Sequence, residues 1–132
     1  MTQLHPPIDE SVERIGREVV DAAFKVHQAL GPGLLESVYE SCVCHELAIR
    51  GLKCARQTPV TITYNDLQIE AGLRLDMLVE DMVIVELKAV EQMTPLFEAQ
   101  LLTYLKLTGL RLGYLINFNS ALLKQGIKRM VL

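Results

Sequence analysis

The stretch GLRLDMLVEDMVIVELKAV, residues 72 to 90, places charge at alternate positions of two apolar runs, and that parity constrains the fold more than any other feature. Strand side chains point alternately to opposite faces. Leu73, Leu75, Met77 and Val79 should therefore share one face, with Arg74, Asp76 and Leu78 on the other. In the returning run Val83, Val85 and Leu87 share a face, and Ile84, Glu86 and Lys88 share its opposite. Matching apolar faces requires odd positions to oppose odd ones. A two-residue loop at Glu80 and Asp81 would set Asp76 opposite Val85 and mix the faces; a three-residue loop sets Asp76 opposite Glu86. The latter register is expected. The Glu-Asp-Met loop lacks the glycine that three-residue hairpins favour, and a bulge could serve instead.

In that register two carboxylates stand side by side, with Arg74 and Lys88 one step further along. Directly opposed like charges destabilise a sheet unless something neutralises them. A cation is one candidate. Mg²⁺ takes one or two carboxylates, keeps several waters and completes its shell with phosphate oxygens. Lys88 would then stand where it could orient or deprotonate a water, or offset charge on a phosphate. The plainer reading is a half-exposed face whose acids pair with Arg74 and Lys88 as surface ion pairs.

The chain has 132 residues, half of them hydrophobic, which fits one compact domain. Residues 1 to 8 read as a flexible lead-in and 9 to 132 as the domain. Three cysteines without disulfide-like spacing suit a reducing compartment. No apolar run approaches a membrane span and the N-terminus lacks signal-peptide regions, so a cytoplasmic protein away from membranes is expected. With 13 basic and 16 acidic side chains, bulk electrostatics alone would not coat nucleic acid. Residues 106 to 132, however, carry 5 basic and no acidic side chains. That end could face phosphate or simply be solvated.

Asp9 is a reasonable N-cap for a helix in which Val12, Ile15, Val19, Ala22, Val26 and Leu30 recur at helical spacing. Gly31 and Pro32 end it. A second helix spans about Leu34 to Arg50. The period then changes to alternation, predicting a strand to Tyr64, a returning strand from Leu67 to Val79, bent at Gly72, and a third from Met82 to Val90. Thr94 and Pro95 signal the start of a third helix running to about Thr108. RLGYLINF reads as a strand, and IKRMVL as a candidate last one. The order ααβββαβ, with a candidate final β, implies an α/β fold in which helices flank a mixed sheet.

Asp, then Glu-x-Lys about ten residues on, with a Glu on a preceding helix and Gln and Tyr on a following one, resembles the PD-(D/E)xK nuclease superfamily and its restriction-endonuclease-like core. GLLESVY, VELKAV and EAQLLTYLKLTG resemble one branch of it, the GxxExxY proteins. The resemblance implies a Mg²⁺- or Mn²⁺-dependent phosphodiester hydrolase acting on nucleic acid, most naturally DNA. Asp76 and Glu86 would be metal ligands, joined by the backbone carbonyl of Leu87 and by Glu36, and Lys88 the catalytic lysine. Gln100 and Tyr104, four apart on one helix face, match an element that lines the site in some relatives. Without the resemblance, Glu36 reads as a first-turn acid favoured by the helix dipole, and Gln100 and Tyr104 as an amphipathic edge. Tyr39 fits core or site. Leu75 stands where the superfamily's name has Pro, and Phe97 where this branch would have His.

Cys42, Cys44 and Cys54 read as buried small hydrophobes rather than a zinc site. His27 reads as structural, His5 and His45 have no partners at a recognisable spacing, and GPG lacks the Lys-Ser/Thr of a phosphate loop. A homodimer is attractive because two sites could address two strands. The competing expectation is a module of the same fold that binds nucleic acid or protein without turnover. The short chain and acidic balance favour the module; the intact Asp, Glu-x-Lys, Glu and Gln set favours the enzyme.

Overall fold

The computed structural model describes residues 6–132. Residues 1–5 of the expected lead-in, with His5, lie outside the described residues. Asp9 caps α1 (Glu10–Leu30), its Oδ1 accepting from the Ser11 N–H at 2.8 Å and so satisfying one of the amides a helix start leaves without an internal partner. Gly31, with φ at 71°, ends the helix. The loop to α2 (Glu36–Ile49) is tied down by Tyr39, which is fully buried. Its hydroxyl donates to the Gly31 carbonyl at 2.6 Å and accepts from the Leu34 N–H at 3.1 Å, and its ring stacks on Phe118 with centroids 4.4 Å apart. Of the two roles open to Tyr39, this is the structural one.

After α2 come β1 (Cys54–Pro59), a two-stranded ribbon of β2 (Ile62–Tyr64) and β3 (Leu67–Ile69), then β4 (Arg74–Val79) and β5 (Val83–Lys88). They are followed by α3 (Pro95–Thr108), β6 (Leu112–Asn117), a 3₁₀ turn at Leu123–Gly126 and β7 (Ile127–Val131). The five-stranded sheet has the order β1-β4-β5-β6-β7 and is antiparallel except between β5 and β6. A parallel pair cannot close through a tight turn, and α3 supplies the crossover. α1 and α2 cover one face, where Ile15, Val19, Val43 and Leu47 cluster with Met77 and Val85. α3 covers the other, with Leu101 and Leu105 against Ile84 and Leu115. This is the flanked mixed sheet expected from the order of elements.

The strand boundaries differ from the expectation. The chain leaves the ladder at Val60 and Thr61 and again between Ile69 and Arg74, where Gly72 has φ at 74°. The two long strands expected there are therefore four short ones, because β2 and β3 pair only with each other. α3 starts with Pro95, but the Thr94 side chain makes no capping bond.

Replacing Tyr39 by Phe keeps the stack and strands the Gly31 carbonyl and Leu34 N–H. It should lower stability by about 1–3 kcal/mol, read from chemical denaturation; an unchanged midpoint would mean that the loop is held by other contacts.

Candidate active site

β4 and β5 pair Met77 with Val85, Leu78 with Ile84 and Val79 with Val83, a register that puts Asp76 opposite Glu86 as parity required. The loop achieves this without glycine. Glu80 and Asp81 take φ values of 53° and 56°, and the Met82 N–H donates to the Val79 carbonyl at 2.9 Å, as in a type I′ turn. Lys53 braces the strained turn: its N–H donates to Glu80 Oε2 at 2.6 Å, and its carbonyl accepts from the Glu80 N–H at 2.9 Å.

Beyond Met77 the ladder stops. The Asp76 N–H donates to Glu86 Oε2 at 2.9 Å, and the Leu87 N–H donates to Asp76 Oδ2 at 2.8 Å. Each carboxylate takes a backbone donor that a neighbouring carbonyl would otherwise satisfy. At the same level β4 changes face. Leu75 packs in the α3 cluster, whereas Met77 and Val79 lie in the α1–α2 cluster, so the single apolar face expected for the odd positions is broken at Asp76. The carboxylates consequently stand between the layers, near groups of both.

Glu86 is 6% exposed. Burial, then the charge of Asp76, push its carboxyl up to about 8. Burial also raises Asp76, opposed by the Leu87 N–H. Glu36, the first residue of α2, is raised by burial and next by the charge of Asp76. Lys88 counters all three. Its ammonium makes no ion pair among the described residues and instead lies 4.5 Å from the Phe97 ring centroid, a cation–π contact. Phe97 thus has a place beside the site, although it is not the expected His. The surface ion pairs foreseen for Asp76 and Glu86 with Arg74 and Lys88 are not formed; Arg74 donates instead to the Gln57 carbonyl at 3.4 Å.

Tyr104, buried in the α3 cluster, has its phenol raised by burial and then by the charges of Glu86 and Asp76, which marks it as their neighbour. Gln100, a turn earlier, is exposed and makes no hydrogen bond among the described residues. Glu40 is a group that sequence reading missed. It is buried, accepting from Gln57 Nε2 at 2.7 Å and from Arg56 Nη2 at 3.1 Å, and its charge acts on Asp76. The signal was there: Glu40 is four residues after Glu36 and three before the core residue Val43, hence on the same side of α2.

The basic C-terminal stretch is partly engaged. Arg111 donates to the carbonyls of Pro6, Pro7 and Leu132, Arg129 pairs with Glu13 at 2.6 Å, and Lys128 approaches Glu98 at 3.9 Å. His27 Nε2 donates to the Ser120 carbonyl at 2.8 Å, a structural role, and the three cysteines are free thiols.

The sequence model of the PD-(D/E)XK nuclease superfamily matches residues 13–130. The chain belongs to that superfamily. No curated protein and no solved structure gives a significant match. The three helices and mixed five-stranded sheet are compatible with the restriction-endonuclease-like fold, and PD-(D/E)XK nucleases generally use divalent metal ions on nucleic acid. No helix among the described residues is long and apolar enough to cross a membrane.

The donor set fits such an ion in kind. Asp76, Glu86 and Glu36 offer carboxylate oxygens, which hard cations take, and burial raises the proton affinity of all three. As they stand, no three His, Cys, Asp or Glu groups among the described residues converge on one point. Asp76 and Glu86 are turned onto backbone amides.

The raised carboxyl of Glu86 has a consequence for stability. Between its ordinary value of 4.5 and about 8 the unfolded chain has lost the proton that the fold retains, so stability of the metal-free protein declines as pH rises through that window. Thermal unfolding in chelator should show this slope, and Glu86→Gln, which keeps the acceptor for the Asp76 N–H, should flatten it and raise the midpoint at pH 8. An identical slope in the variant would show that Glu86 is ionised throughout.

Proposed function

We propose that this chain is a Mg²⁺- or Mn²⁺-dependent phosphodiester hydrolase acting on nucleic acid, with DNA as its substrate, and that it is of the GxxExxY branch. One observation carries the reading: a buried carboxylate, Glu86, and a half-buried one, Asp76, face each other where β4 parts from β5, with Lys88 two residues on and Glu36 within electrostatic reach.

Asp76, Glu86, Glu36 and the Leu87 carbonyl would hold the ion. The Leu87 N–H is directed to Asp76, and the N–H and C=O of one strand residue point the same way, which supports including that carbonyl. Bound there, a divalent ion supplies charge to polarise the scissile phosphate and acidify a water. Lys88, held over the Phe97 ring, orients the attacking water or offsets charge developing on the phosphate oxygens. Tyr104 and Gln100 contribute a hydroxyl and an amide from α3 on the substrate side. A homodimer would let two such sites address two strands, and the cytoplasm is the expected compartment. The second reading, a binding or assembly module without turnover, is favoured by the engagement of both carboxylates with backbone amides.

Calorimetric titration with Mn²⁺, and incubation with single-stranded, duplex and branched DNA and with RNA, separate the two. The enzyme reading expects metal binding, cleavage of DNA, and loss of cleavage in Asp76→Ala, Glu86→Ala and Lys88→Ala with the fold retained. Cleavage undiminished in Lys88→Ala would sink the mechanism; neither binding nor cleavage would favour the module.

A further inference from the structure

Four non-glycine residues among those described have φ in the left-handed region. Asn65, Glu80 and Asp81 lie in hairpin turns; Gln57, with φ at 51°, lies inside β1, where no turn calls for it. Such a conformation persists only where the surroundings impose it, and it gathers at functional sites. Arg56 pairs with Met77 and Thr58 with Leu75, so the residue facing Gln57 across the ladder is Asp76. β1 is kinked at the level where β4 changes face. Next to the kink the Thr58 hydroxyl is buried without a hydrogen-bond partner, a further cost of this local path.

The Gln57 side chain turns towards the acids. Its Nε2 donates to Glu40 Oε1 at 2.7 Å, while Arg56 Nη2 binds the other Glu40 oxygen at 3.1 Å and Ser41 Oγ at 3.0 Å. Glu40 is thereby fixed and its charge compensated from β1. A primary amide carries two hydrogens, and the one not given to Glu40 leaves Gln57 a donor for a second carboxylate. Asp76 is the carboxylate on the facing residue.

We propose that Gln57 is a positioning residue for Asp76: the left-handed kink in β1 aims its amide between the carboxylates of Glu40 and Asp76 and so holds Asp76 in place at the parting of β4 and β5. The role rests on the reading of Asp76 as a metal ligand. A glutamine that merely completed β1 would be replaced to advantage by glycine, which takes positive φ without steric cost. A positioning amide would not.

The test titrates Mn²⁺ into the full chain and its variants by calorimetry, alongside thermal unfolding in chelator. Gln57→Gly, which takes positive φ freely but removes a donor from the buried Glu40, should lower the metal-free melting temperature with the fold retained and weaken Mn²⁺ binding by about 10- to 100-fold, as loss of a group orienting a ligand does. Gln57→Asn, which keeps an amide and tolerates positive φ, should recover part of the affinity. Equal Mn²⁺ affinity in Gln57→Gly and the parent overturns the proposal. If the parent binds no Mn²⁺, it is the metal reading that fails, and a double-mutant cycle of Gln57→Gly with Asp76→Asn on the metal-free melting temperature decides the positioning role. Non-additive shifts are expected; additive ones overturn it.

Discussion

Two hydrogen bonds where β4 parts from β5 set the terms for the site. The Asp76 N–H turns to Glu86 and the Leu87 N–H to Asp76, so the strands remain joined through carboxylates after the backbone ladder has ended. Buried donors need partners, and a carboxylate is a strong one. The arrangement settles the backbone at the expense of gathering negative charge in a half-buried place, and Glu86 shows the strain most, its carboxyl held up near 8. The apolar clusters on both faces of the sheet clamp the strands that carry these acids.

From that parting the neighbourhood follows. Because the odd positions of β4 change clusters at Asp76, the acids lie within influence of α2 on one side and α3 on the other. α2 sends Glu36 and Glu40, and α3 sends Tyr104 and the Phe97 ring under Lys88. Tyr39 fixes the loop that leads into α2 and with it the level at which Glu36 enters. Lys88 is thus a cation kept near three acids without being consumed by any of them, an arrangement suited to a group that must respond to a phosphate.

Much of this was legible in the chain. A strict period of two fixes which residues face each other, since a one-residue slip would bury charge throughout, and Asp76 opposite Glu86 followed from parity even though no glycine marked the turn. Helix limits were close because Asp9, Gly31 and Pro95 are local signals. The local β propensity around Tyr64 and Leu67 could not reveal that these strands pair only with each other, because that depends on where the chain leaves the main sheet. The face change at Leu75 and the left-handed Gln57 are likewise tertiary. Each exists because two strands kink together, and nothing local in Arg-Gln-Thr or Leu-Asp-Met announces it. Lys88 over Phe97 was hidden for the same reason.

Membership of the PD-(D/E)XK nuclease superfamily makes a divalent ion the natural counter-charge for the acid cluster. The most direct measurement is a crystal structure of the protein soaked in Mn²⁺, with anomalous differences recorded at the manganese edge. The expected result is one peak bounded by Asp76, Glu86, Glu36 and the Leu87 carbonyl, with the carboxylates turned at least partly from the backbone amides. No peak there at saturating Mn²⁺, with Asp76 still on the Leu87 N–H, would contradict the account and leave the two acids as a structural clasp between β4 and β5.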